Sequence, residues 1–120
     1  MASKYLGRAF IRVNGVTVPS MPGTAKFMPG GEERTPVLGD FGYLGYTSKP
    51  MQGEIECEIA VGPDTDLDTI NKTTDATITF EGDTGQVWIM RNAVLATPAA
   101  VQSGEGKASL KFFGSEIEKV

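Results

Sequence analysis

Between positions 52 and 61 the chain reads QGEIECEIAV, and apolar and acidic residues take turns without a break. Ile55, Cys57 and Ile59 fall on one set of positions; Glu54, Glu56 and Glu58 fall on the other. Successive side chains of a strand point to opposite faces, so a period of two predicts a strand with one apolar and one anionic face. The alternation returns in DATITFE, residues 75–81, with Ala76, Ile78 and Phe80 on one side. RAFIRV, residues 8–13, reads as a further strand, and Asn14-Gly15 after it is a two-residue hairpin signal. VTVPSMPGTAKFM continues as extended chain, where Pro19 and Pro22 favour an edge or an irregular section. QVWIMRNAVLAT, residues 86–97, has large side chains on both sides around Trp88, Ile89 and Met90, which predicts a strand covered on both faces. KASLKFFGSEIEKV closes the chain as a strand that alternates less regularly, and turns are expected at GDTG and around residues 103–106.

Two segments depart from this pattern. PDTDLDTINKT predicts a short helix, with Thr65 and Asp68 at the spacing of a capping box. Asp64 and Asp66 sit where a helix N-terminus favours negative charge, Lys72 lies near the other end, and Leu67 and Ile70 share a face. Residues 29–50, PGGEERTPVLGDFGYLGYTSKP, predict a long loop bounded by prolines. A loop of that length is uncommon in a compact domain and is usually functional. The expected fold is mainly β: a small β-sandwich or barrel with one short flanking helix, in a single domain over residues 1–120.

Composition removes several kinds of chemistry. The chain is 40% hydrophobic and 22% charged over 120 residues, enough to bury a core without disulfides or metal. Cys57 is the only cysteine and cannot form an intrachain disulfide; between two isoleucines it reads as a small buried hydrophobe. There is no histidine, so a Ser-His-Asp or Cys-His mechanism and the usual zinc site cannot be built within one chain. No cofactor motif is present, and no apolar run approaches the roughly 20 residues that span a bilayer. MASKYLGRAFIRV lacks the apolar segment of a secretory signal, so synthesis in a cytosol is expected.

The net charge of −4 is unevenly laid out. Residues 1–51 carry six basic and three acidic groups, residues 52–86 carry nine acids against Lys72 alone, and residues 87–120 carry four basic and three acidic groups. Such blocks belong either to an ordinary solvated surface or to a surface that meets an oppositely charged one on another copy.

Three short motifs have ordinary readings beside functional ones. DTDLD resembles the start of a calcium loop, but the sixth position is Thr69 rather than Gly and the twelfth is Asp75 rather than Glu, so helix capping is preferred. NKT, residues 71–73, matches a glycosylation acceptor, which means little without a signal peptide. GDFGYLGY, residues 39–46, lacks the spacing of a dinucleotide site. Its Phe41, Tyr43, Leu44 and Tyr46 suit an interface between proteins, local packing, or base stacking. As for the glutamate row, neighbours two apart on a strand lie roughly 6.6 Å from each other. Each pair repels by only about 0.6 kcal/mol in water, so an exposed row is cheap and a solvated face remains open as its reading.

The order of pieces resembles the tail tube proteins of contractile-tailed, Mu-like bacteriophages. The likeness lies in the GRAFIRVNGVTV hairpin, the Gly-rich segment through GDFGYLGYTSKP, the strand GEIECEIAVG and the DTDLDTINKT helix. It continues through ATITFEGDTGQVWIMRNA to the ending SGEGKASLKFFGSEIEKV. The resemblance implies a structural virion protein and no enzyme. Its strands would contribute to a hexameric ring with a continuous inner β-barrel, and rings would stack into a tube beneath a contractile sheath. The tube would house a tape-measure protein and conduct DNA without specific binding, with sheath, baseplate and terminator proteins as further partners and no membrane or cofactor. Synthesis would take place in the host bacterial cytoplasm. Four strands from each copy, about 24 at roughly 4.8 Å, give a circumference near ~115 Å and a width of about 37 Å, room for a duplex. Glu54, Glu56 and Glu58 are then candidates to face the lumen, where carboxylates would repel phosphate weakly. Phe41, Tyr43, Leu44 and Tyr46 are candidates for contacts between subunits. Ring proteins of type VI secretion systems and tailocin tubes share this implied architecture. A small β-barrel binding module is a competing reading, opposed by the acidic balance. A carboxylate-pair glycosidase is another, but three evenly spaced acids define no distinct acid and base.

Overall fold

The computed structural model describes residues 2–120. Its strands follow the chain as β1 (Ala9–Val13), β2 (Val16–Val18), β3 (Lys26–Met28), β4 (Gly31–Gly39), β5 (Gly42–Met51) and β6 (Gly53–Ala60). A helix α1 (Leu67–Asn71) precedes β7 (Ala76–Gly82), β8 (Val87–Leu95), β9 (Ala100–Gln102), β10 (Lys107–Gly114) and β11 (Glu118–Lys119). One antiparallel path runs β2-β1-β7-β8-β10-β6-β3, with β11 added to β8 and β9 to β10. The path wraps around a core without closing into a barrel; an isolated bridge, Ser20 to Ile59, ties the segment after β2 to β6. The fold is mainly β with one short helix, as the alternation predicts.

The core follows from the period of two. Ile55, Cys57 and Ile59 of β6 point inward with Ala108, Leu110 and Phe112 of β10 and Ala76, Ile78 and Phe80 of β7. β10 alternates strictly from Ala108 to Phe112, more regularly than its adjacent phenylalanines suggest. Ile11, Val18, Met90, Ala93 and Ile117 complete the buried set. Phe27, Phe80 and Trp88 stack at one end, with ring centroids 4.7 to 5.9 Å apart. β8 bends at Asn92, whose φ is 56°, so the strand serves β7 with its first half and β10 with its last residues.

Asn14 and Gly15 both take positive φ in the β1–β2 turn, as a tight primed hairpin requires. The helix begins one residue later than the capping-box spacing predicts. Asp66 is the N-cap: its carboxylate accepts from the Thr69 N–H at 3.1 Å and from the Thr69 hydroxyl at 2.6 Å. Those two bonds hold the Asp66 carboxyl below its usual range. Thr65 instead closes the preceding turn, its hydroxyl accepting from the Gly62 N–H at 2.8 Å. Leu67 and Ile70 pack against the core, and Lys72 is the C-cap residue.

Residues 29–50 are not a structureless loop. β4 and β5 pair from Gly31–Met51 to Gly39–Gly42 as a separate two-stranded ribbon, with one bulge at Val37/Leu38. Pro36 and Pro50 are tolerated because each strand of a ribbon has a free edge. The ribbon prolongs the β3–β6 pair through a neck at Pro29-Gly30 and Gln52-Gly53. Gly30 has φ 87°, and a Cβ there would lie 2.9 Å from both the Gly53 nitrogen and the Met51 oxygen, so only glycine lets the two chains approach this closely.

Candidate assembly interface

The ribbon is a surface without a partner in its own subunit. Every residue from 32 to 38 and from 46 to 50 is exposed. Phe41 is 107% exposed at the turn, Leu44 72%, Leu38 70%, Tyr43 67% and Tyr46 60%, so none of these side chains is buried in the core of its own subunit. Pairing puts Pro36 opposite Tyr46 and Leu38 opposite Tyr43 on one face. The Arg34 guanidinium lies 5.9 Å from the Tyr46 ring centre on that face. Leu44, displaced by the bulge, leans over Gly39 on the other face. A lone two-stranded hairpin is marginal in water, and an exposed apolar ribbon face calls for a covering surface. The sequence singles out Phe41, Tyr43, Leu44 and Tyr46; it misses Pro36, Val37 and Leu38, which join them only through the ribbon register.

The second surface is the outer face of the sheet formed by β3, β6, β10 and β9. β6 offers Glu54, Glu56 and Glu58; β10 offers Lys107, Ser109 and Lys111; β3 offers Lys26. The glutamates do not stand as an unopposed row. Lys26 Nζ lies 3.1 Å from Glu56, Lys107 Nζ lies 3.3 Å from Glu58 and 2.9 Å from Glu105, and Lys111 Nζ lies 3.8 Å from Glu54 and 3.6 Å from Glu56. The Gln52 side-chain amide also donates to Glu54 at 3.0 Å. An open groove of about 600 Å³ runs over this face, lined by Lys26, Glu56, Glu58, Ser109 and Lys111. The lysines were legible in part: KASLK places Lys107, Ser109 and Lys111 on the face opposite Ala108 and Leu110.

The Lys26 ammonium, followed by Lys111, holds the Glu56 carboxyl below its usual range. Glu105, then Glu58, holds the Lys107 ammonium above its usual value. A carboxyl depressed on folding stabilises above its unfolded pKa and loses that contribution as pH falls through the folded value. The difference in thermal midpoint between wild type and Glu56→Gln should therefore be constant through neutral pH, begin to shrink as pH falls into the ordinary glutamate range, and vanish only once pH has passed below the depressed folded value. The effect should be small, because partly exposed pairs of this kind are worth ~0–1 kcal/mol.

Cys57 lies beneath this face, buried, and burial raises its thiol pKa to about 11. Native protein at neutral pH should leave a thiol reagent unreacted, and one equivalent should react after denaturation. Among the described residues no group of three or more potential His, Cys, Asp or Glu ligands could hold a metal ion. Among them, too, no helix is long and apolar enough to cross a membrane.

These features define a structural subunit whose exposed ribbon and edge strands are suited to contact with other chains. The phage tail tube protein family model matches residues 2–119. The chain is 35% identical over 120 residues to the Mu-like prophage FluMu tail tube protein of Haemophilus influenzae, covering 100% of this chain and 99% of that protein. It is 40% identical over 99 residues to the tail tube protein of Escherichia phage Mu, covering 82% of each. Two of the solved structures that share its fold at low identity are tube-end proteins. One is a sheath/tube terminator of an extracellular contractile injection system, with TM-score 0.67, 14% identity and coverage of 100% of this chain and 98% of that one. The other is the tube-terminating cap of the anti-feeding prophage, with TM-score 0.66, 13% identity and coverage of 100% and 94%. The chain belongs to the phage tail tube protein family. The resemblance read from the order of its elements is borne out, and its relatives are structural proteins, not enzymes.

Proposed function

We propose that copies of this chain close into hexameric rings with a continuous inner β-barrel and that the rings stack into the inner tube of a contractile tail. The tube houses a tape-measure protein and conducts DNA during ejection, and the finished protein resides in the virion after synthesis in the host cytoplasm. The observation that carries this reading is the ribbon: a long apolar-faced hairpin, joined to the sheet by a glycine neck, whose residues 32–38 and 46–50 are all exposed. In the ring, β3 and β9 meet the edges of neighbouring copies, because a rotation that closes pairs strand edges that a monomer leaves open. The ribbon, with Phe41, Tyr43, Leu44 and Tyr46, lies against an adjacent copy. The face bearing Glu54, Glu56 and Glu58 lines the bore, and the opposite layer faces the sheath. Solved relatives in fold include a sheath–tube complex and terminating caps, which supports sheath and terminator proteins as partners.

Sedimentation velocity over a range of concentrations tests assembly directly. The reading expects the monomer to give way to rings or longer tubes as concentration rises. A single subunit that stays monodisperse at millimolar concentration would overturn it.

A further inference from the structure

Resting on the placement of the β3–β6–β10 face in the bore, we propose that this lining is an internally paired, nearly charge-neutral ladder, offering a passing polyanion no binding site and only weak repulsion. On this face Lys26, Lys107 and Lys111 stand against Glu54, Glu56, Glu58 and Glu105, leaving one surplus acid per subunit. Each lysine is held by carboxylates at 2.9 to 3.8 Å, and Lys107 and Lys111 each lie between two of them. A lysine so occupied is not free to replace a counterion on phosphate.

Opposite charges this close cancel over distances a few times their separation, and salt screens the remainder within about 8 Å. The glutamates of β6 are flanked in fixed register by lysines of β10 and β3, Lys111 beside Glu56 on one side and Lys26 beside Glu56 on the other, so the acidic row runs between cations rather than alone. A row of bare carboxylates would repel phosphate and hold cationic segments; a row of bare lysines would stall DNA. The intrachain ladder avoids both, and it does so within each copy, whatever the rotation between rings.

Tubes assembled from wild type, from Glu54→Gln/Glu56→Gln/Glu58→Gln and from Lys26→Gln/Lys107→Gln/Lys111→Gln supply the test. Each is verified as hollow by electron microscopy, then sedimented with a fluorescent single-stranded oligonucleotide or an oligolysine over 50–300 mM salt (about the range in which counterion release is read). Wild type should retain neither probe with a salt-dependent affinity. The glutamine-for-glutamate variant should retain the oligonucleotide, with a log–log salt slope of about −2 for three freed lysines. The glutamine-for-lysine variant should retain the oligolysine. Salt-dependent retention of either probe by wild-type tubes overturns the neutral lining. Should a triple variant not fold, Glu58→Gln and Lys26→Gln carry the same comparison at smaller amplitude. The same measurement on dispersed subunits separates the two levels of the reading. Charge effects seen in subunits but absent from hollow tubes place the face between copies and overturn the lining. Failure of wild type to form any tube overturns the parent reading, while the subunit data still decide whether the face is neutral.

Discussion

Serine at both Tyr43 and Tyr46 should leave the subunit folded and stop it assembling. Both side chains are exposed on β5, and neither contributes to the core. Surface changes away from special contacts usually shift stability by less than about 0.5 kcal/mol, so the unfolding midpoint should hardly move. In the proposed tube the same rings would become buried aromatic anchors. Truncating one such anchor typically costs about 2 kcal/mol or more, so the pair is worth ~4 kcal/mol per contact, roughly three decades in affinity. The loss recurs at every subunit, and assembly concentrates it. Thermal unfolding and sedimentation, run side by side, separate the two effects. Normal tubes from this variant would remove the ribbon from the interface; a collapsed midpoint would make it part of the monomer's own stability.

Phe112→Ala should do the reverse. Phe112 is fully buried on β10, opposite Ile55 of β6 and Leu95 of β8, where the two layers of the wrapped sheet join. Removing a buried phenylalanine ring costs about 3–5 kcal/mol through lost transfer free energy and the cavity left behind. A domain of this size commonly has only about 5–15 kcal/mol in total. The urea midpoint should fall by a large fraction and assembly should fail for want of folded subunits. Phe113, its neighbour, points outward and is partly exposed, so Phe113→Ala should shift the same midpoint far less.

The contrast between these two variants follows the division between what was legible in the sequence and what was not. Period-two alternation in β6 and β7 placed Ile55, Cys57, Ile59, Ile78 and Phe80 in the core from local information alone, because one face of a wrapped sheet must be dry. The ribbon was hidden for the opposite reason. With both faces wet in the subunit, β4 and β5 need no alternation, and Pro36, Gly39, Gly42 and Gly45 read as loop residues. Its apolar face exists only after Pro36 and Leu38 are set opposite Tyr46 and Tyr43 by register. KASLK showed Lys107 and Lys111 on one face, but their pairing with Glu54, Glu56 and Glu58 was out of reach, since β10 and β3 are distant in sequence from β6. At the helix, spacing alone suited Thr65 as the cap; backbone direction gave the role to Asp66, whose extended conformation aims its carboxylate at Thr69.

Cryo-electron microscopy of the assembled protein in cross-section tests the central claim most directly. The account predicts a hollow ring of hexameric symmetry in which β3 and β9 edges are paired between copies, the ribbon is seated on a neighbour, and the Glu54–Glu56–Glu58 face lies on the bore. An assembly in which that ribbon remains free in solvent, or in which that face is turned outward, would contradict it.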